Sequence, residues 1–256
     1  MEKSDEVQVK EIGAMLLRVG ILLLSAGAST HRTRSNVSRI SGAFGFTTEM
    51  MITNRAISIS ISDQNNEHIF NSVKRIAGHG VNFKVVSGIS RMSWRVLQEN
   101  WELDQINKEL DRLASLPHYN RLIILSLVGL AGASFCRLFE GNLVEMLVAF
   151  LATFTGLFVR QLTTGKGLNM LVCVFLAAFT SSLIVAIFWK LHLSATMEHA
   201  FTACVLFLIP GVPLINSFSD IIDGNVVNGV VRGVNGLMVA FAIALGLLTT
   251  MLIFNL

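Results

Sequence analysis

Apolar and polar positions alternate on a short scale over the first 121 residues, and then give way to apolar runs of about twenty residues separated by brief polar breaks, the length of a membrane span. In the early part, Ile12, Met15, Leu16, Val19, Leu22 and Leu23 recur at i, i+3, i+4 and i+7. That spacing predicts an amphipathic helix over Ile12–Ala28 with one face in a domain core. A signal peptide is the competing reading, with Ala26-Gly27-Ala28 as its cleavage site, but Glu2, Asp5, Glu6 and Glu11 stand where a positive leader belongs. A true span is disfavoured by a length of about 17 residues and by Arg18 inside it. A second helix is expected over Thr33–Ala43, closed by Gly42 or Gly45. Strands are expected at Thr47–Thr53, Ala56–Ser62, His68–Ile76 and Val81–Val86, with Ile57, Ile59 and Ile61 on one face. Asn54-Arg55 and Asp63–Asn66 supply the turns. Helices over Ser90–Glu99 and Leu103–Leu116 follow, and Pro117 ends the last.

The later part holds five runs of spanning length, near 122–139, 143–162, 168–189, 197–216 and 230–253. Tyr119 and Arg121 before the first run, and Trp189-Lys190 at the end of the third, fit interfacial anchors. The pattern predicts an α+β N-terminal cytoplasmic domain over 1–118. An all-α polytopic membrane bundle of five transmembrane helices over 119–256 follows it.

Charge follows the same division. Lys and Arg number 20, and only Arg137, Arg160, Lys166, Lys190 and Arg232 lie beyond residue 121. Placing the polar half in the cytoplasm puts Arg160, Lys166 and Arg232 inside as well, which is the positive-inside orientation, with Leu256 outside. A content of 52% hydrophobic and 14% charged residues excludes an ordinary soluble enzyme, a disordered chain and a disulfide-stapled domain. A net charge of +3, with no basic run interleaved with aromatics, gives no support to a nucleic-acid partner. Cys136, Cys173 and Cys204 each stand alone in apolar runs, without metal or disulfide spacing. No cofactor, phosphate-loop or nucleophile motif is present, and His31, His68, His79 and His118 lack ligand spacing. Arg32, Arg34 and Arg39 offer a basic face for an anion or anionic lipid, or a merely solvated one.

Small residues pair at i, i+4 in the runs: Gly129 with Ala133, Ala152 with Gly156, Gly229 with Gly233, and Ala242 with Gly246. Such pairs let helices approach closely. Arg137, Glu145, Arg160, Asn169, Ser181 and Ser182 are polar groups within or beside spans, where ionisable residues point to function. The sharpest local signal is Ile209-Pro210-Gly211-Val212-Pro213-Leu214-Ile215-Asn216. Pro210, Gly211 and Pro213 break a span, and broken helices at membrane depth line cavities or transport sites. Asn216, Asp220 and Asp223 follow at i, i+4 and i+7, on one helical face. A kinked helix leading into a polar loop is the alternative.

These residues resemble the threonine/serine exporter (ThrE) family, and most closely the short five-span half of its split members. The resemblance is carried by Val128-Gly129-Leu130-Ala131, Ser134-Phe135-Cys136-Arg137-Leu138, Phe158-Val159-Arg160-Gln161-Leu162 and the Phe207–Asn216 segment, with Asp220, Gly229 and Arg232 behind it. Gly27-Ala28 and the following helix extend it across nearly the whole chain. The resemblance implies a cytoplasmic N-terminal domain, a five-helix membrane part and export of small polar metabolites. Those would be threonine and serine for full-length members and succinate for the split pair. It also implies a separate small membrane subunit, since the chain stops at Leu256 where longer members carry a second membrane domain. The family pattern has acidic residues immediately after the Gly-Ala pair and near the start of the next helix; here Ser29 and Arg34 stand at those positions, with His31 and Arg32 between, and such a basic surface would favour an anionic substrate such as a dicarboxylate.

The resulting expectation is a secondary export subunit in a bacterial inner membrane, with the lipid bilayer, a small polar metabolite and a second membrane subunit as partners. Asp220 is the expected coupling or gating carboxylate, with Pro210, Gly211, Pro213, Asn216, Asp223 and Arg232 around it. Arg137, Arg160 and Gln161 are the expected contacts for a substrate carboxylate, because a guanidinium matches a carboxylate in two-point geometry. A membrane-anchored sensing or interaction protein is the rival, and a membrane enzyme is the weakest option.

Overall fold

The computed structural model describes residues 2–53, 55–62, 69–76, 80–116, 120–192 and 197–255, with side chains from residue 7 onward. Helix α1 (Glu2–Ser25) and α2 (Thr30–Ala43) precede strands β1 (Thr47–Ile52), β2 (Ala56–Ser62) and β3 (Ile69–Arg75). Helices α3 (Phe83–Glu99) and α4 (Leu103–Ala114) come next. Then come α5 (Arg121–Leu138), α6 (Leu143–Gly165), α7 (Met170–Lys190), the short α8 (Glu198–Ala203), α9 (Gly211–Ile222) and α10 (Val226–Phe254).

By packing, the chain forms two compact units: Met1–Pro117 with Val212–Gly233, and His118–Gly211 with Val234–Leu256. The division into 1–118 and 119–256 follows the chain; the packing division does not, because α9 and the first turns of α10 group with the N-terminal elements.

In the first unit an antiparallel sheet of order β1-β2-β3 presents Ile57, Ile59 and Ile61 inward. Helix α1 lies on that face. A Cβ added at Gly20 would come within 2.5 Å of Ile57, and one at Gly13 within 2.2 Å of Phe70, so glycine sets the close approach. Ile12, Leu16, Val19 and Leu23 of α1 join Ile40, Ile89, Met92, Ile106 and Leu110 in one core. The amphipathic reading of α1 therefore holds, with a helix that begins earlier than its apolar stripe.

The expected fourth strand, Val81–Val86, is instead the start of α3. The Asn82 side chain accepts the N–H groups of Lys84 and Val85 at 3.2 and 3.3 Å, capping a helix that runs through to Glu99. A short apolar run does not by itself distinguish strand from buried helix; the cap decides. The expected hairpin tip at Asp63–Asn66 lies outside the described residues, as do Asn54 and Pro117.

Among the described residues, four helices are long and apolar enough to cross a membrane: α5, α6, α7 and α10. The expected fourth span, 197–216, is not continuous. Helix α8 and a 3-10 turn at Leu206–Leu208 stop before Pro210, and α9 starts at Gly211; counted as one bent span, the pair brings the number to five. Along α10, Leu237, Phe241, Leu248 and Leu252 are exposed whereas Val239, Ala242, Ile243, Gly246 and Thr250 turn inward. An apolar outer face with small residues at the seam is what a bundle in lipid requires.

Candidate functional site

Helix α1 ends in a left-handed cap. The Ala28 N–H bonds the Leu23 carbonyl at 3.0 Å and the Gly27 N–H bonds Leu24 at 3.1 Å, with Gly27 at φ +86°, a conformation open to glycine. The chain passes at once to Ser29, whose hydroxyl accepts the Arg32 N–H at 3.3 Å and caps α2. This tight passage leaves the carbonyls of Gly27 and Ala28, and the first helical N–H at Thr30, to be met from elsewhere.

They are met from α9 and α10. The Asn216 amide donates to Gly27 O at 2.9 Å, and Thr30 N–H donates to Asp220 Oδ1 at 3.0 Å. Arg232 Nη1 stands 2.8 Å from Asp220 Oδ2, and its Nη2 reaches Ala28 O at 3.5 Å. Asp220 is fully buried and the Arg232 side chain is 15% exposed. The 2.8 Å contact is charge against charge rather than along an N–H axis, and neither atom has a further hydrogen-bond partner among the described residues. The Thr30 hydroxyl beside them is buried and also lacks a partner among those residues.

The local sequence explains why α9 and α10 come so close. Gly224, at φ +80°, closes α9 with Asn225 N–H on Asp220 O at 2.7 Å. Ser217 Oγ then donates to Gly229 O at 2.7 Å, and a Cβ at Gly229 would meet Ser217 O at 2.8 Å. Asn228 donates to Ile52 O at 2.7 Å at the end of β1. Asp220 thus receives a helix N-terminus and a guanidinium, the two donor types that recognise a carboxylate.

Of the residues singled out from the sequence, Asn216, Asp220 and Arg232 come together. Asp223 does not: it follows the last residue of α9, is exposed, and accepts from Ser219 Oγ at 3.3 Å. Pro210 sits in the break after Ile209, whose extended backbone suits a residue preceding proline. Gly211 opens α9, and Pro213 lies in its first turn, where a missing N–H costs nothing. Arg137, Arg160 and Gln161 belong to the second unit. Arg137 Nη1 donates to Gly141 O at 3.3 Å, near the end of α5, and Gln161 Oε1 accepts from Arg121 Nε at 2.7 Å. Arg160 is half-buried on α6 with no hydrogen-bond or ion-pair partner for its side chain among the described residues. Asn169 caps α7, accepting the Leu171 N–H at 2.8 Å, and Ser181 bonds Ala152 O at 3.0 Å. Arg39 is a structural cation, donating to Ser93 at 2.7 Å and lying 3.9 Å over the Trp94 ring.

The family model described as "Putative threonine/serine exporter" matches residues 14–254. The chain belongs to this family. Among curated relatives of this exporter-family chain, one from Escherichia coli named "Probable succinate transporter subunit YjjP" is 27% identical over 97% of both chains. Another of that name, from Klebsiella aerogenes, is 24% identical over 99% of this chain and 98% of its own. A "Threonine/serine exporter" from Corynebacterium glutamicum is 24% identical over 88% of this chain but only 47% of its own length. No solved structure matches significantly. With its long apolar helices, this exporter-family member is a multi-pass membrane protein, and its relatives are transporters rather than enzymes.

Two features of the exporter-family chain escape sequence reasoning. Thr30 joins the site through its backbone, which no side-chain pattern reports. His199 lies 3.1 Å from the buried carboxylate of Glu145. The available signal for that pair was position: both stand near the starts of alternate apolar runs, which short connections bring to one end of a bundle.

Proposed function

We propose that this chain is one subunit of a secondary exporter of small carboxylate-bearing metabolites, succinate or threonine and serine, across a bacterial inner membrane. A second small membrane protein completes it. Its N-terminal elements lie in the cytoplasm, and five spans, the bent pair counted as one, put the C-terminus outside. The observation that carries this reading is the buried Asp220 held by Arg232 and the Thr30 N–H. All three candidate substrates carry a carboxylate, and Asp220 already occupies donors suited to that group. A substrate carboxylate that takes the place of Asp220 on Arg232 would release the Thr30 N–H as well, so one exchange of anions changes both the local charge and the α2–α9–α10 contacts. Within the second unit, Arg160 is a separate candidate contact for a carboxylate, its side chain having no hydrogen-bond or ion-pair partner among the described residues. The relatives' names, one a succinate transporter subunit and one a threonine/serine exporter, support the substrate range.

The test is efflux of labelled succinate, threonine and serine from cells with and without this chain and its partner. Faster efflux of one of them with both subunits present is expected. Equal efflux of all three in every strain would refute the exporter role and favour a membrane-anchored sensing protein.

A further inference from the structure

We propose that Glu145 and His199 form the proton-binding site that couples export to a proton gradient, an inference that rests on the exporter reading above. Both residues belong to the second unit. Asn142 caps α6: its side chain accepts the Glu145 N–H at 2.9 Å, and Glu145 Oε2 accepts the Asn142 N–H at 3.0 Å. A glutamate side chain is almost never fully buried unless it is paired. Here the Glu145 side chain is 1% exposed, so its carboxylate is sealed inside the bundle.

From α8, His199 Nδ1 lies 3.1 Å from Oε1 and 3.2 Å from Oε2, spanning both oxygens. The histidine side chain is 34% exposed. One partner is closed off and the other reaches the surroundings, which is the arrangement a proton needs to enter. Among the described residues, His199 is the one ion-pair partner of Glu145.

Helix α8 packs against α5, α6 and α7. The other charged or titratable groups at the adjoining ends of these elements are Cys136, which couples electrostatically to Glu145, and Arg137 on α5, Lys190 on α7 and Glu198 on α8. Glu140 and His192 lie in the adjoining turns. Arg137 is committed to Gly141 O at 3.3 Å, and the Lys190 ammonium lies 5.5 Å from the Trp189 ring centre. Neither forms an ion pair with Glu145 among the described residues.

Histidine is the side chain that ordinarily changes charge between pH 5 and 8. With Nδ1–H directed at Glu145, an incoming proton bonds to Nε2. The imidazolium and carboxylate then form a neutral pair that ties α8 to the start of α6. Loss of that proton leaves Nδ1–H of a neutral imidazole on the carboxylate, beside the α6 N-terminus and the Asn142 N–H, so the hydrogen bond remains but the charge attraction goes, which weakens the tie. The two protonation states therefore favour different positions of α8, the helix leading into the Pro210 break.

Glu145→Gln separates this role from capping, because glutamine serves equally at the third position of a capping box. The full chain with its partner subunit, in proteoliposomes, is assayed with labelled succinate, threonine and serine for net efflux and for exchange of labelled against unlabelled substrate. Wild-type efflux should change at least about threefold across external pH of about 5.5 to 8, the range in which histidine titrates. Glu145→Gln and His199→Gln should lose that pH response while retaining exchange, which needs no net proton movement. A wild-type pH profile in both variants would overturn the inference, as would pH-independent wild-type efflux or loss of exchange together with efflux. Absence of any wild-type transport would overturn the exporter reading itself.

Discussion

The backbone N–H of Thr30 meets the carboxylate of Asp220 at 3.0 Å, across 190 positions of chain. An α9 side chain thus serves as an anionic ligand for the N-terminus of α2, where the helix dipole favours negative charge. The energetic weight of the arrangement falls on Asp220, since it is the group that satisfies both the helix end and a guanidinium.

Asp220→Asn keeps an acceptor for Thr30 and removes the charge facing Arg232. The variant is expected to insert and fold while export is abolished, whereas Asp223→Asn, at an exposed position, has a milder effect. Efflux at equal membrane abundance decides the matter. Wild-type rates in Asp220→Asn would remove Asp220 from the mechanism.

Arg232→Met leaves the Asp220 carboxylate buried without its countercharge. A loss of about 3–5 kcal/mol is expected, as for breaking one partner of a buried pair. Asp220→Asn combined with Arg232→Met should recover much of it. Denaturation of the purified protein in detergent gives the cycle, and strictly additive losses would show that the two residues are not coupled.

Gly246 tests the bundle seam. A Cβ there would lie 2.8 Å from Ala178 Cβ and Phe179 N, and 2.9 Å from Phe175 O. Two of these neighbours are backbone and cannot swing aside, so Gly246→Ala should cost about 1–3 kcal/mol by overpacking. Gly165→Ala, with nothing within 4 Å, is the control and should melt near wild type.

The Glu109–Arg112 pair on α4 should make the stability of the first unit pH-dependent. Arg112 donates to both carboxylate oxygens at 2.6 Å and holds the Glu109 carboxyl below its ordinary value. A carboxyl lowered in the folded state gives stability that is full above its unfolded pKa and is lost as pH falls through the lowered one. The melting-temperature gap between wild type and Glu109→Gln should therefore be open at neutral pH and close in the acid range. A gap independent of pH would assign the effect to packing.

Reporter fusions test the topology. Residues 1–118 and Thr163–Gly167 should report inside, and a C-terminal fusion outside. A cytoplasmic C-terminal reporter would exclude five spans.

The class of each half was legible because it rests on periodicity. The stripe on α1, the alternation in β2 and the long apolar runs all act locally. Val81–Val86 misled because an apolar pair beside a polar residue fits strand and helix alike, and the Asn82 cap was the deciding chemistry. Asn216 and Asp220 were legible as a pair one turn apart; Asp223 was not, because Gly224 ends the helix before a further turn forms. The partners on the Gly27–Thr30 turn could not be read at all. They are backbone groups brought near by tertiary packing, and no local spacing records them.

Because residues 212–233 close the first unit, the order of synthesis and the order of completion run opposite ways. The segment that supplies Asn216, Asp220, Asn228 and Arg232 leaves the ribosome only after α5, α6 and α7 have been made. Until then the Gly27, Ala28 and Ile52 carbonyls and the Thr30 N–H lack the partners they have in the finished protein. The N-terminal fold is begun first and finished late, so a nascent chain stalled before Val212 carries an incomplete version of it into quality control, however well its three apolar helices have already entered the bilayer.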